Sequence, residues 1–142
     1  MTSTSELLQK IGSYFSRDTT VAAVYLFGSF AHGRQRPMSD VDIAVLLAEP
    51  AGAVDRKLFL DRLHRDLGRI LRKDVHILIL NDASYSARME ALFRGKCAHV
   101  KDEEALARFR MVTVALFADF APFMDQAHCS LARRLGCKDH GQ

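Results

Sequence analysis

The sequence predicts an α/β (α+β) domain, a small mixed sheet with flanking helices packed against it. Three observations carry that reading. Short apolar runs of strand length occur at residues 21–27, 40–47 and 75–80. Longer stretches at residues 5–16, 54–71 and 103–125 repeat apolar residues at helical spacing. Gly, Ser, Asn, Asp and Pro gather at the junctions between them.

The first helix carries Leu7, Leu8, Ile11 and Phe15, with Ser3 or Ser5 as its cap. Val21 to Phe27 reads as a buried strand ending at Gly28. Residues 28–39 read as a loop with room for one helical turn. The next strand carries Val41, Ile43 and Val45 and is closed by Glu49-Pro50-Ala51-Gly52. The second helix places Leu58, Leu63, Leu67, Ile70 and Leu71 on one stripe and Arg and Asp opposite, a solvated face. A third strand ends at Asn81-Asp82. A helix over residues 84–93 stops at Gly95, and residues 97–100 form a short edge strand. In the last helix Leu106, Phe109, Thr113, Leu116, Phe120 and Phe123 form a seam, with Pro122 interrupting it near the end. The whole chain reads as one domain, with residues 127–142 a polar, flexible tail.

Composition narrows the class. The chain has 142 residues, 49% hydrophobic and 26% charged, which suits a globular domain with a real core. No apolar run approaches the roughly 20 residues that span a bilayer, and the N-terminus lacks a secretory pattern. A net charge of +3 is too small to predict direct nucleic-acid binding. Cys97, Cys129 and Cys137 are odd in number and widely spaced, so a disulfide framework is not expected and the cytoplasm is the simplest location. His64, His99, His128 and His140 show no metal-ligand spacing.

The chemistry concentrates in residues 27–42. Gly28-Ser29 ends a strand, where glycine admits close approach to the backbone and serine offers a hydroxyl beside free N–H groups, a phosphate cradle or an ordinary turn. Asp40 and Asp42 start the next strand two residues apart, on one face. Side by side, two carboxylates repel, and a divalent cation removes the conflict. The structural alternative is a solvated strand end, with Ser39-Asp40 as a turn cap.

Together these residues read G-S-x10-D-x-D, which resembles the nucleotidyltransferase superfamily that includes DNA polymerase β. The chain is most similar to the minimal nucleotidyltransferases, the MNT or MntA-type antitoxins that accompany HEPN-domain toxins. Residues 72–81, 91–96 and 108–123 resemble further blocks of that group. The resemblance implies a polymerase-β-like fold and transfer of AMP from ATP. It implies that Gly28 and Ser29 hold the triphosphate, with Ser39 and Arg34 (or Arg36) as further candidates for nucleotide contact. It implies that Asp40 and Asp42 hold two Mg²⁺ or Mn²⁺ ions. His32 lies in the same loop and is expected to be exposed.

The family pattern expects a third carboxylate where this chain has His76, and Asp74 lies two residues earlier. Three readings stand: Asp74 serves, His76 serves as ligand or general base, or the position is lost and the activity is slow or absent. The resemblance further implies a partner, a cognate HEPN RNase toxin held in a hetero-oligomeric complex and modified on a tyrosine. The alternatives are a small-molecule acceptor such as an aminoglycoside, and an antitoxin that neutralises by contact without catalysis. The last-helix seam and the edge near residues 96–100 are the candidate contact surfaces, if they are not simply core.

Overall fold

The computed structural model describes residues 3–34, 36, 39–48 and 51–134, with side chains to residue 118. Its elements are α1 (Thr4–Phe15), β1 (Val21–Phe27), β2 (Val41–Leu47), α2 (Arg56–Leu71), β3 (Val75–Ile79), α3 (Tyr85–Met89), β4 (Lys96–Val100) and α4 (Glu103–Arg134). The strands form one mixed sheet in the order β3-β2-β1-β4. β1 pairs antiparallel with both β2 and β4, and β2 pairs parallel with β3 through the α2 crossover.

Two apolar layers sandwich the sheet. Leu7, Ile11 and Phe15 of α1 and Phe59, Leu63, Leu67 and Leu71 of α2 pack on one face, against Val24, Leu26, Ile43, Val45, Ile77 and Ile79. On the other face Leu92 and Leu106 pack against Tyr25, Ala44 and Leu46. Covered on both sides, β1 and β2 read as continuous apolar runs rather than alternating ones.

Local chemistry fixes the ends. Ser3 caps α1, its hydroxyl accepting the Glu6 N–H at 3.2 Å. Asp55 caps α2 by accepting the Leu58 N–H, so that helix starts at Arg56, two residues after the expected position. β3 ends at Ile79 rather than Leu80 because residues Leu80–Asp82 turn into a 3₁₀ helix. There the Asn81 amide replaces the ladder, accepting from Leu47 N at 2.8 Å and donating to Leu47 O at 3.3 Å. α3 continues as a π-helical turn, Glu90–Arg94, up to Gly95. Gly95 caps in an extended conformation. Glycine is needed there for space, since a Cβ would lie 2.4 Å from the Ala91 carbonyl and 2.8 Å from that of Leu26.

Three expectations are corrected. Leu58 is 67% and Ile70 36% exposed, so neither belongs to the buried stripe of α2. That stripe is Phe59, Leu63, Leu67 and Leu71, four residues apart; Leu58 and Ile70 each lie about 100° round the helix from it. The Arg/Asp face is not merely solvated: Arg62 pairs with Asp18 at 2.9 Å, Arg56 with Asp82 at 2.7 Å, and Asp66 accepts from Tyr14 at 2.6 Å. Burial and the bond to Asp66 push the Tyr14 phenol up to about 12. Finally, α4 runs through Pro122 to Arg134 instead of ending near residue 125. The expected tail beyond it, residues 135–142, lies outside the described residues, as do the side chains of Phe120 and Phe123. No helix among the described residues is long and apolar enough to cross a membrane.

Truncating the true stripe tests this packing. Leu67→Ala lowers the unfolding free energy by about 2–5 kcal/mol, and Leu58→Ala by less than about 0.5 kcal/mol, both read by urea denaturation.

Candidate active site

The topology gathers the end of β1 and the starts of β2 and β3 at one edge of the sheet. Phe27 lies opposite Asp42 across the antiparallel pair, and Asp42 lies opposite His76 across the parallel pair. Gly28 and Ser29 follow directly on β1.

Gly28 has φ +74, in the left-handed region. A Cβ at that position would lie 2.2 Å from Asp42 Oδ2. Glycine therefore serves twice, as the turn residue and as the gap that receives the Asp42 carboxylate. Gly28–Phe30 then form one 3₁₀ turn. The Ser29 carbonyl accepts the N–H groups of His32 and Arg34 at 3.3 and 2.9 Å. Phe30 is buried and its carbonyl accepts the Thr4 hydroxyl at 2.7 Å, which pins the turn to the start of α1. The Ser29 hydroxyl has no hydrogen-bond partner among the described residues and is partly exposed.

Asp40 lies just before β2 and is exposed; Asp42 is on the strand and half-buried. His76 Nδ1 is 3.3 Å from Asp42 Oδ1. Burial pushes the Asp42 carboxyl above its ordinary value, His76 pulls it down, and the like charge of Asp40 adds to the rise. Asp74 is exposed at the start of β3, and its carbonyl accepts the Val41 N–H at 2.9 Å. Of the two candidates for the third position, His76 meets Asp42, whereas the Asp74 side chain makes no described contact. Ser39 acts as a turn cap, its hydroxyl accepting the Arg36 N–H at 2.7 Å. His32, Arg34 and Arg36 are exposed.

The donor set fits a small hard cation. Asp40 and Asp42 offer carboxylate oxygens, and the tension between them is the kind a divalent ion relieves. Among the described residues no three His, Cys, Asp or Glu side chains group closely enough to hold a metal alone. Further ligands then come from water and substrate oxygens, as magnesium ordinarily takes them. The sequence reading missed the cationic side of this edge: Arg65, Arg69 and Arg72 of the α2 face share a cavity with Asp40. Their signal was the spacing of 65 and 69 on one helical face, followed at once by Arg72-Lys73.

The raised Asp42 value has a stability consequence. A carboxyl that ionises less readily in the folded state stabilises it below the ordinary carboxylate pKa, and that contribution is lost as pH rises through the raised value. Without metal, Asp42→Asn raises the melting temperature at pH 7. The gap over wild type closes as the pH is lowered through the carboxylate range, which differential scanning fluorimetry across pH 3–8 measures.

Comparison with known proteins places this edge in a family. The family Polymerase beta, Nucleotidyltransferase matches residues 9–104. Protein adenylyltransferase MntA of Shewanella oneidensis is 36% identical over 73 residues, 51% of this chain and 50% of that protein. The match thus spans about half the length of that curated relative. A solved toxin–antitoxin structure with AMP-PNP is similar with a TM-score of 0.66 and 28% identity, over 85% of this chain and 98% of that one. A second structure, a tri-AMPylated Shewanella oneidensis HEPN toxin in complex with MNT antitoxin, has a TM-score of 0.62, over 88% of this chain and 98% of that one. At 24% identity the latter likeness is one of fold. With the matched region covering the sheet, the turn and both aspartates, the chain belongs to the polymerase-β-type nucleotidyltransferase family.

Proposed function

We propose that this protein is an antitoxin adenylyltransferase, transferring AMP from ATP to a tyrosine hydroxyl of a HEPN-type RNase toxin. The observation that carries the proposal is the close approach of the Gly28 turn to Asp42 beside Asp40, which brings the Ser29 hydroxyl and a carboxylate pair to one end of the sheet. The family, the adenylyltransferase relative and the AMP-PNP-bound neighbour support it. The chain acts as one nucleotidyltransferase domain, and a cytoplasmic location suits an exposed, free Cys97.

Asp40 and Asp42 would hold Mg²⁺ or Mn²⁺. Bound there, the metal neutralises phosphate charge and makes the acceptor hydroxyl more acidic. Ser29 donates its hydroxyl to the triphosphate, and Gly28 keeps the approach open. Arg34 and Ser39 are the further candidates for contact with the nucleotide. The acceptor oxygen forms a bond to the α-phosphorus, the bond from that phosphorus to the β-phosphate oxygen breaks, and pyrophosphate leaves. His76 takes the third position: with Nδ1 donating to Asp42, its Nε2 is free to accept the acceptor's proton.

One observation favours contact as well as catalysis. On α4, Met111 is 71% and Val112 54% exposed, with Val114 and Phe117 beside them. Such an apolar face suits a hetero-oligomeric complex with the toxin.

Transfer is tested with ATP labelled on the α-phosphate, Mg²⁺ and the co-expressed toxin. Asp42→Asn lowers label incorporation by more than about 100-fold. If that variant still neutralises the toxin at equal protein level, contact alone suffices and the catalytic account fails. In the same assay His76→Ala lowers kcat by about 10²–10⁴-fold, and Asp74→Asn has the smaller effect of the two.

A further inference from the structure

A cavity of about 540 Å³ is lined by the C-terminal half of α2, the connection from α2 to β3, and Ser39 and Asp40 just before β2. Asp40 and Asp74 are the carboxylates of its lining, and Arg65, Arg69, Arg72 and Lys73 supply the rest of its charge. Arg65 and Arg69 share a single carboxylate, Asp66, at 3.6 and 3.4 Å. Lys73 lies over the Phe30 ring at 5.4 Å, a contact that leaves its charge unneutralised. Arg72 has no ion pair or hydrogen bond among the described residues. The wall therefore has more cations than the described anions neutralise.

Arg72 carries a second signal. It ends α2 in the left-handed conformation with φ 55, the one non-glycine residue among the described residues with positive φ. Glycine or asparagine fills such positions at lower conformational cost. An arginine stands there instead and lines the cavity.

We propose that this cavity is the docking groove for an acidic segment of the acceptor protein, lying beside the hydroxyl that is modified. The proposal rests on a protein acceptor, as argued above. Charge complementarity selects the occupant: arginine forks match carboxylates with two parallel hydrogen bonds. Nucleic acid is the weaker fit, because the described lining has no Phe, Tyr or Trp on which a base would stack. The cavity's imidazole, His64, is turned back onto its own helix, with Nδ1 donating to the Leu60 carbonyl at 2.8 Å.

Binding is measured by fluorescence anisotropy with a fluorescein-labelled hexaglutamate peptide, and in parallel with a labelled oligoribonucleotide of equal charge. Wild-type protein binds the peptide in a salt-sensitive way, and Arg69→Glu/Arg72→Glu weakens it by at least about tenfold. Arg72→Gly, which relieves the backbone, retains or raises the melting temperature and still weakens the peptide. Equal peptide binding by wild type and both variants overturns the proposal, as does tighter binding of the oligoribonucleotide than of the peptide. Because the readout needs neither ATP nor transfer, a wild-type protein that binds the peptide but labels no acceptor refutes the adenylyltransferase reading and leaves the groove standing.

Discussion

Asp42 Oδ2 occupies space that exists only because Gly28 has no side chain. That close approach couples the end of β1 to the start of β2 more tightly than the strand pairing requires. The antiparallel ladder brings Phe27 opposite Asp42, and the missing Cβ then lets the carboxylate lie under the turn. The pinning of Phe30 in the core and of its carbonyl by Thr4 holds the turn in place. The parallel ladder supplies the other half, bringing His76 to the opposite flank of Asp42. Each element of the fold that surrounds this edge can be read as support for one carboxylate.

That carboxylate is held in an environment that opposes its charge. Burial and Asp40 both disfavour the ionised form, and an exposed imidazole offsets them only in part. A protein selected for stability alone would place a neutral side chain at position 42. The strain makes sense for a group that acquires a cationic partner during its work, and the same logic extends to Arg72 and Lys73, whose charges no described anion neutralises. Carboxylates and cations thus line one cavity that includes Asp40.

Most of this was legible in the sequence because it is local. The strand ends at Phe27 and Leu47, the glycine turn and the two aspartates lie within one stretch, where spacing fixes geometry. The order of the elements and the edge position of β4 followed from the apolar periods. What escaped was set by long-range contacts. Leu58 and Ile70 fit a helical stripe on paper, but α2 is rotated so that the row from Phe59 to Leu71 meets the sheet. Asn81 ends β3 by bonding Leu47, a partner 34 residues away. That His76 rather than Asp74 meets Asp42 needed the β2–β3 register, which no local pattern contains. The α2 arginines looked solvated because their shared cavity with Asp40 arises only when the crossover closes.

The β2–α2–β3 crossover also decides when the site comes into being. Gly28 and Asp42 are joined by the β1–β2 connection alone, a contact that spans less chain than the one to His76 and closes at smaller entropic cost. His76 reaches Asp42 only after the whole of α2 has been made and packed, since parallel strands cannot pair without their connection. During synthesis the chain therefore exposes a half-built carboxylate pair before it has the strand that completes it. The order of translation keeps the assembled edge absent until the α2 layer of the core exists, so a competent site is also a report that this half of the domain has folded.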